Sequence, residues 1–147
     1  MIIKQATIEN IAELVQMGIS LWPHNEVDEL KIELLELLDS PNNVFYLAKS
    51  ESHNKYVGFI HMSKRNDYVE GSDSTPVGFI EGIYVEPDYR KNGVARAMYN
   101  TGIEWARSMG CSQIGSDIEL KNDVSYEFHT KLGFKEVNRI ICFIKDI

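Results

Sequence analysis

The stretch Glu81-Gly82-Ile83-Tyr84-Val85-Glu86-Pro87-Asp88-Tyr89-Arg90-Lys91-Asn92-Gly93-Val94-Ala95-Arg96 constrains this chain more than any other. An apolar strand pattern runs into a turn, and a glycine-bearing segment then opens a long helical pattern. That pattern is carried by Val94, Ala97, Met98, Thr101, Trp105 and Met109, with Gly110 as its stop. Such a junction presents backbone N–H groups without helical partners at the positive end of a helix dipole. It is a ready site for a pyrophosphate. Gly93 lets the backbone approach a bulky anion because no Cβ intrudes, and Ala95 keeps the neighbouring wall small. Arg90, Lys91 and Arg96 add cations where basic side chains oppose the dipole, an arrangement that a bound anion would relieve. The loop lacks the lysine-serine/threonine ending of a Walker A motif and is not G-x-G-x-x-G.

The rest of the chain is acidic. Lysine plus arginine is 15 and aspartate plus glutamate 22, a net charge of −7. That balance repels phosphate backbones, so nucleic acid is not an expected partner, and it attracts cationic ligands at range. It also simply keeps a protein in solution. A length of 147 residues fits one domain, 1–147. Cys111 and Cys142 are too few for a disulfide scaffold, and the thiol of Cys111 reads as a small buried hydrophobe. No apolar run approaches the roughly 20 residues of a membrane span, and the N-terminus lacks a signal-peptide layout. The expected address is the cytoplasm, with no membrane partner. His24, His53, His61 and His129 show no metal spacing, so no metal is expected.

Periodicity supplies the elements. Ile2 to Ala6 reads as a strand; Thr7 caps a helix with Ile8, Ile11, Leu14, Val15, Gly18 and Ile19 on its apolar face, ending at Leu21-Trp22-Pro23. A second helix runs from about Glu26 to Asp39, with Leu30, Leu34, Leu37 and Leu38 inward. Strands follow at Val44–Ala48, Tyr56–Met62 and Val77–Val85, with a long polar loop from Arg65 to Pro76. After the helix that Gly93 opens come a strand at Ser112–Asp117, a helix at Asn122–Leu132 closed by Gly133, and two strands at Phe134–Val137 and Arg139–Phe143. The order β-α-α-β-β-β-α-β-α-β-β means a mixed α+β (α/β) domain around one sheet.

Arg90-x-x-Gly93-x-Ala95 after an acidic apolar strand resembles the acetyl-CoA loop of the GNAT acetyltransferase superfamily, and Asn122 with Leu132-Gly133-Phe134 is similar to its second CoA-side segment. The element order agrees with the GNAT fold, a central mixed sheet of about seven strands flanked by four helices. Leu21-Trp22-Pro23, Asp67-Tyr68-Val69, Asp73-Ser74-x-Pro76, Glu81-Gly82-Ile83, Ser116-Asp117 and Leu132-Gly133-Phe134 look more narrowly like the aminoglycoside 6′-N-acetyltransferases. The resemblance runs nearly end to end. It implies acetyl transfer from acetyl-CoA to the 6′-amine of an aminoglycoside, antibiotic resistance, and a homodimer.

The same resemblance assigns roles. A bulge around Ile83 to Val85 would splay the fourth strand from the fifth, freeing main-chain groups of Ile83, Tyr84 and Val85 for the pantetheine arm and thioester. Arg90, Lys91, Asn92, Gly93, Val94, Ala95, Arg96 and Asn122 would complete the cofactor site. A primary ammonium must lose a proton before it attacks. Glu81 and Asp117 are the substrate-side acids, with Asp117 the base; a salt-bridged Glu81 and a turn-forming Asp117 are the alternatives. A carboxylate buried unpaired in an apolar strand would be costly and perturbed. Many GNAT enzymes carry a tyrosine five residues before the phenylalanine of Leu-Gly-Phe; His129 stands there instead, as acid for the leaving thiolate or as a packing or cofactor contact. Trp22, Tyr68, Asp73, Glu81, Asp117 and Glu136 would bind a polycationic sugar, Trp22 alternatively closing the core edge. No nucleophile motif is present, so direct attack in a ternary complex is expected. A polyamine or protein N-terminal acetyltransferase and a non-catalytic acyl-CoA-binding regulator are the competing readings.

Overall fold

The computed structural model describes all of residues 1–147. Strand β1 (Ile2–Gln5) leads through a 3-10 turn into helix α1 (Ile11–Leu21), followed by α2 (Val27–Asp39). Strands β2 (Asn43–Ser50), β3 (Lys55–Arg65) and β4 (Val77–Val85) come next, then α3 (Val94–Ser108), β5 (Ile114–Ser116) and α4 (Asp123–Lys131). The five strands form one sheet in the order β1-β2-β3-β4-β5. β1 to β4 pair antiparallel and β5 joins β4 in parallel.

Local chemistry places the helices. Thr7 and Asn10 close a capping box: the Thr7 hydroxyl accepts from Glu9 N–H and Asn10 Oδ1 from Thr7 N–H. Ile8, assigned by its spacing to the apolar face, falls in the 3-10 turn and is exposed. The Glu26 carboxylate caps α2, accepting from Asp28 N–H at 3.1 Å and Glu29 N–H at 3.0 Å. α1 and α2 cover one sheet face with Leu14, Met17, Leu30 and Leu34 packed on Phe45, Leu47 and Phe59. α3 covers the other, with Val94 and Met98 on Val44, Ile60, Met62 and Ile80. Both layers are buried almost completely, which is the main free-energy source of the fold.

The sheet has five strands rather than about seven. Neither Phe134–Val137 nor Arg139–Phe143 forms a strand. A strand holds only against a partner, and this segment runs out as exposed chain: Ile140, Ile141, Phe143 and Ile144 expose between 72% and 98% of their area. The outer edge of β5 is correspondingly open. A cavity of about 580 Å³ lies beside it, walled by Tyr99, Ala106, Cys111, Ile114, Phe134 and Val137. No helix is long and apolar enough to cross a membrane.

Candidate active site

β4 and β5 pair at only three positions, Gly78↔Ile114, Phe79↔Gly115 and Ile80↔Ser116. Beyond Ile80 and Ser116 they separate, so the β5-facing backbone of Glu81 to Val85 lines an open gap. The splay is as expected, but the bulge is not. Gly82 opposes His61 and Ile80 opposes Met62, so the extra residue is Glu81 rather than one of Ile83 to Val85. Two contacts fix it there. The Glu81 carboxylate is drawn toward β3, and Gly82 yields beneath Trp22, whose ring a Cβ at 82 would approach to 2.6 Å.

Glu81 is not an unpaired carboxylate. Its Oε1 accepts from Ser63 Oγ at 2.6 Å, from Arg65 Nε at 3.0 Å and from Arg65 Nη2 at 2.8 Å; its Oε2 accepts from Nη2 at 2.9 Å. The Arg65 guanidinium lies 3.5 Å from the centre of the Phe79 ring. Of the two readings open for Glu81 in the sequence, the salt bridge is present. Behind it His61 is buried, stacked on Phe45 at 4.1 Å and donating from Nε2 to Asn43 Oδ1 at 2.8 Å. Burial pushes the His61 imidazole down to about 4; Glu81 raises it and Arg65 lowers it by smaller amounts.

Asp117 follows Ser116 across the gap from Glu81 and is exposed. Trp22 is half-buried, packing on Phe59 at 5.8 Å and over Gly82, which seats it beside the Glu81 bulge. Asp73 is not brought to this group. Its N–H donates to Gln113 Oε1 at 2.9 Å, just before the start of β5, whereas Asp117 follows its end. The loop carrying Asp73 lies on the Glu81 face, since Val69 covers Gly115, and Tyr68 stands 71% exposed upon it. Glu136 accepts from Tyr126 Oη at 2.9 Å and pairs with Arg139. Arg139 first and Tyr126 second hold that carboxyl below the usual range. Glu136, Asp117 and His129 share the wall of a second cavity of about 260 Å³.

On the helix side, Gly93 caps α3 with φ +79°, and a Cβ there would meet nothing within 4 Å. The left-handed backbone favours the glycine, and open space lies before it. Lys91 is also left-handed, at φ +61°. The first α3 bond is Ala97 N–H to Gly93 O at 3.0 Å, so the amides of Val94, Ala95 and Arg96 point out of the helix end. Asn92 and Arg96 are exposed beside them. Arg90 donates from Nε to Val85 O at 2.8 Å, which ties the loop to the end of β4. Ile83 and Val85 pack toward α3 and Tyr84 toward α1 and α2, leaving main chain as their contribution to the gap. The Asn122 side chain accepts from Ser125 N–H at 3.2 Å and caps α4.

His129 is half-buried on α4, with Phe134 at 5.1 Å and Phe128 at 5.7 Å. Its Nδ1 lies 2.7 Å from Ser125 O and its Nε2 2.7 Å from Ser116 Oγ. The partnerships of Ser63, Arg65 and Ser116 were not evident from the sequence. Each depends on strand register or on His129 of α4 reaching the end of β5, and neither leaves a local pattern. No group of three or more His, Cys, Asp or Glu converges as a metal cluster.

The sequence model of the Acetyltransferase (GNAT) family matches residues 10–134. Aminoglycoside N(6′)-acetyltransferase type 1 of Stenotrophomonas maltophilia is 35% identical over 141 residues, covering 96% of this chain and 90% of that protein. The enzyme of the same description from Serratia marcescens is 32% identical, covering 95% and 94%. The crystal structure of aminoglycoside antibiotic 6′-N-acetyltransferase AAC(6′)-IG from Acinetobacter haemolyticus, apo, superposes with a TM-score of 0.93 at 32% identity, covering 100% of this chain and 99% of that one. AAC(6′)-Iy in complex with the bisubstrate analog CoA-S-monomethyl-acetylneamine gives a TM-score of 0.93 at 32% identity, covering 99% and 98%. The protein whose gap, helix terminus and acidic rims are described above thus belongs to the GNAT acetyltransferase family, among the aminoglycoside N(6′)-acetyltransferases.

Proposed function

We propose that residues 1–147 work as one domain that transfers acetyl from acetyl-CoA to the 6′-amine of aminoglycosides. The observation that carries this reading is the gap itself. It opens where β4 and β5 part, with the α3 N-terminus at one end and Trp22, Glu81 and Asp117 at its mouth. The outward amides of Val94, Ala95 and Arg96, with Lys91, Asn92 and Arg96, suit the pyrophosphate of CoA. The β5-facing side of the Glu81 to Val85 backbone, past the last β4–β5 pair, suits an extended pantetheine arm, which would add along the strand as a further strand does. When bound, the cofactor supplies the activated acetyl thioester.

The residues then divide the work. Asp117, exposed at the mouth, takes the ammonium proton directly or through water so that a neutral amine can attack. Glu81, fixed by Arg65 and Ser63, presents a placed negative charge to the polycation beside the Trp22 ring. Attack is direct, within a ternary complex.

A homodimer working in the cytoplasm, with drug resistance as its outcome, completes the reading. The apolar Ile140, Ile141, Phe143 and Ile144, the open β5 edge and the cavity beside it support a second copy covering this end of the sheet. The full chain is expected to sediment as a dimer and a chain lacking residues 139–147 as a monomer.

The primary test compares free-thiol release from acetyl-CoA with kanamycin, with paromomycin, which carries a 6′-hydroxyl, and with spermidine. Release with kanamycin alone is expected. Release with spermidine alone would move the substrate class to polyamines, and tight CoA binding without any release would make the protein an acyl-CoA-binding regulator.

A further inference from the structure

Ser116 occupies a distinctive position. It is the last residue of β5 paired with β4, opposite Ile80, where the gap begins. Ile80 faces α3, and so does Ile114, two residues before Ser116 on the same side of β5. Ser116 therefore stands on the α3 and α4 side of the gap, away from the face that carries Glu81 and Ser63. Its hydroxyl lies 2.7 Å from His129 Nε2.

The tautomer of His129 follows from its Nδ1 contacts, of which Ser125 O is the short one and Ser125 Oγ lies at 3.4 Å. Ser125 O, 2.7 Å from Nδ1, is a backbone carbonyl and can only accept. Nδ1 therefore carries the hydrogen in the neutral ring. Nε2 is then the lone-pair nitrogen, and the Ser116 hydroxyl donates to it. A neutral His129 so placed cannot give a proton to anything at the gap; it must first receive one. A serine hydroxyl that donates to a histidine keeps lone pairs free to accept. That is the geometry of a two-way proton carrier.

We propose that Ser116 and His129 form a relay that carries the proton from the attacking nitrogen to the departing CoA sulfur, with Ser116 the residue that meets the reacting atoms. The proposal rests on the acetyl-transfer reading above. Asp117 removes the first proton, converting the ammonium to an amine. As the amine attacks, the C–N bond forms and the nitrogen carries a second, now acidic proton. Ser116 Oγ accepts it while passing its own hydrogen to His129 Nε2. The resulting imidazolium is held by the Nδ1–H bond to Ser125 O. When the C–S bond breaks, its electron pair leaves on sulfur, and the proton returns from Nε2 through Oγ to that sulfur. One proton has moved from nitrogen to sulfur, and Ser116 and His129 end as they began. The ionisable groups around the ring are Asp117, Tyr126, Lys135, Glu136 and Arg139, all walling the same 260 Å³ cavity. Glu136 is engaged with Arg139 and Tyr126, which leaves Asp117 as the acid nearest β5.

The test measures kcat and KM across pH for wild type, Ser116→Ala, Ser116→Thr, His129→Gln, Asp117→Asn and the Ser116→Ala/His129→Gln pair, with kanamycin and acetyl-CoA. Thermal melts and CoA titration confirm that each variant is folded. His129→Gln keeps a group able to accept from Ser116 but unable to hold the proton. Ser116→Ala and His129→Gln should each lower kcat about 10²-fold with KM for acetyl-CoA within about threefold. The double variant should fall no further than either single one, and Ser116→Thr should recover most of the loss. Alkaline pH should restore Asp117→Asn, because the amine is then already neutral, but not Ser116→Ala. Near-normal turnover in Ser116→Ala, losses that multiply in the double variant, or recovery of Ser116→Ala at alkaline pH would each overturn the relay. A wild type inert toward kanamycin would instead overturn the function on which it rests.

Discussion

The β4 rim of the gap holds Glu81 in a socket of Ser63 and Arg65, backed by Phe79 and a buried His61, whereas the β5 rim carries Ser116 at the end of a strand three residues long and Asp117 just past it. The first rim lies on the next-to-last strand of the sheet, held along its length by β3 and packed under helices. The second lies at its edge, tied by a single histidine to a helix with no fully buried residue. Each suits a different task. A charge meant to receive a cation gains from being fixed in advance, since no reorganisation is then needed on binding. Groups that pass protons have to approach, release and rotate, and a loosely held edge allows it.

The largest test of this contrast lies on the β5 rim. Asp117→Asn should lower kcat at neutral pH about 10²-fold while CoA titration stays unchanged. A small loss there would shift deprotonation to solvent and leave the edge with only the relay to perform. Next comes the cofactor end, shared by both rims. Gly93→Val forces a β-branched residue to φ +79°, with strain of roughly 1–3 kcal/mol, and should weaken CoA binding at least about tenfold by calorimetry. Unchanged affinity would remove the α3 terminus from the cofactor site.

On the β4 rim the effects should be smaller and confined to substrate. Arg65→Ala should raise the aminoglycoside KM about tenfold with kcat within about threefold, because Glu81 keeps its charge but loses its aim. Arg65→Lys should not rescue it, since one ammonium cannot reproduce the two-pronged contact. Stability should drop by less than about 1 kcal/mol, as both partners are partly exposed. A collapse of kcat instead would make Glu81 a participant in the chemistry.

The last prediction tests rigidity. The imidazole of His61 is held near 4 in the folded protein and returns to about 6.5 when unfolded. Between those values the unfolded chain binds more protons, so stability is full above about pH 6.5 and falls as pH drops toward 4, by on the order of 3 kcal/mol. Denaturant melts at pH 7 and pH 5 should show the loss, and His61→Gln should flatten it. An equal slope in both proteins would place the acid sensitivity elsewhere.

Much of the frame could be read from single residues. Thr7 capped its helix, Gly93 opened α3 in a left-handed conformation, and Leu30 and Leu34 faced inward, because caps, positive φ and apolar spacing are local signals. The separation of β4 from β5 followed from resemblance rather than periodicity. Its bulge came two residues early because the position depends on a cross-strand contact, Arg65 with Glu81, that spacing within one strand cannot reveal. The position of Asp73 depends on its N–H bond to Gln113 Oε1, a contact between distant parts of the chain that the loop's composition cannot reveal. The apolar run Ile140, Ile141, Phe143 and Ile144 read as strand, since its composition is that of one, yet composition does not supply a neighbour.

One further consequence follows from Arg90, Lys91 and Arg96, which sit at the α3 terminus of a protein whose net charge is −7. The two substrates are oppositely charged and therefore meet different fields. A polycationic antibiotic is drawn in by the net charge of the whole molecule, over a range that physiological salt shortens to roughly 8 Å and lower salt extends. An anionic nucleotide is repelled until it comes within reach of one helix end. Added salt should thus slow capture of the drug and hasten capture of the cofactor, so the order in which the two ligands arrive would depend on the ionic strength of the solution.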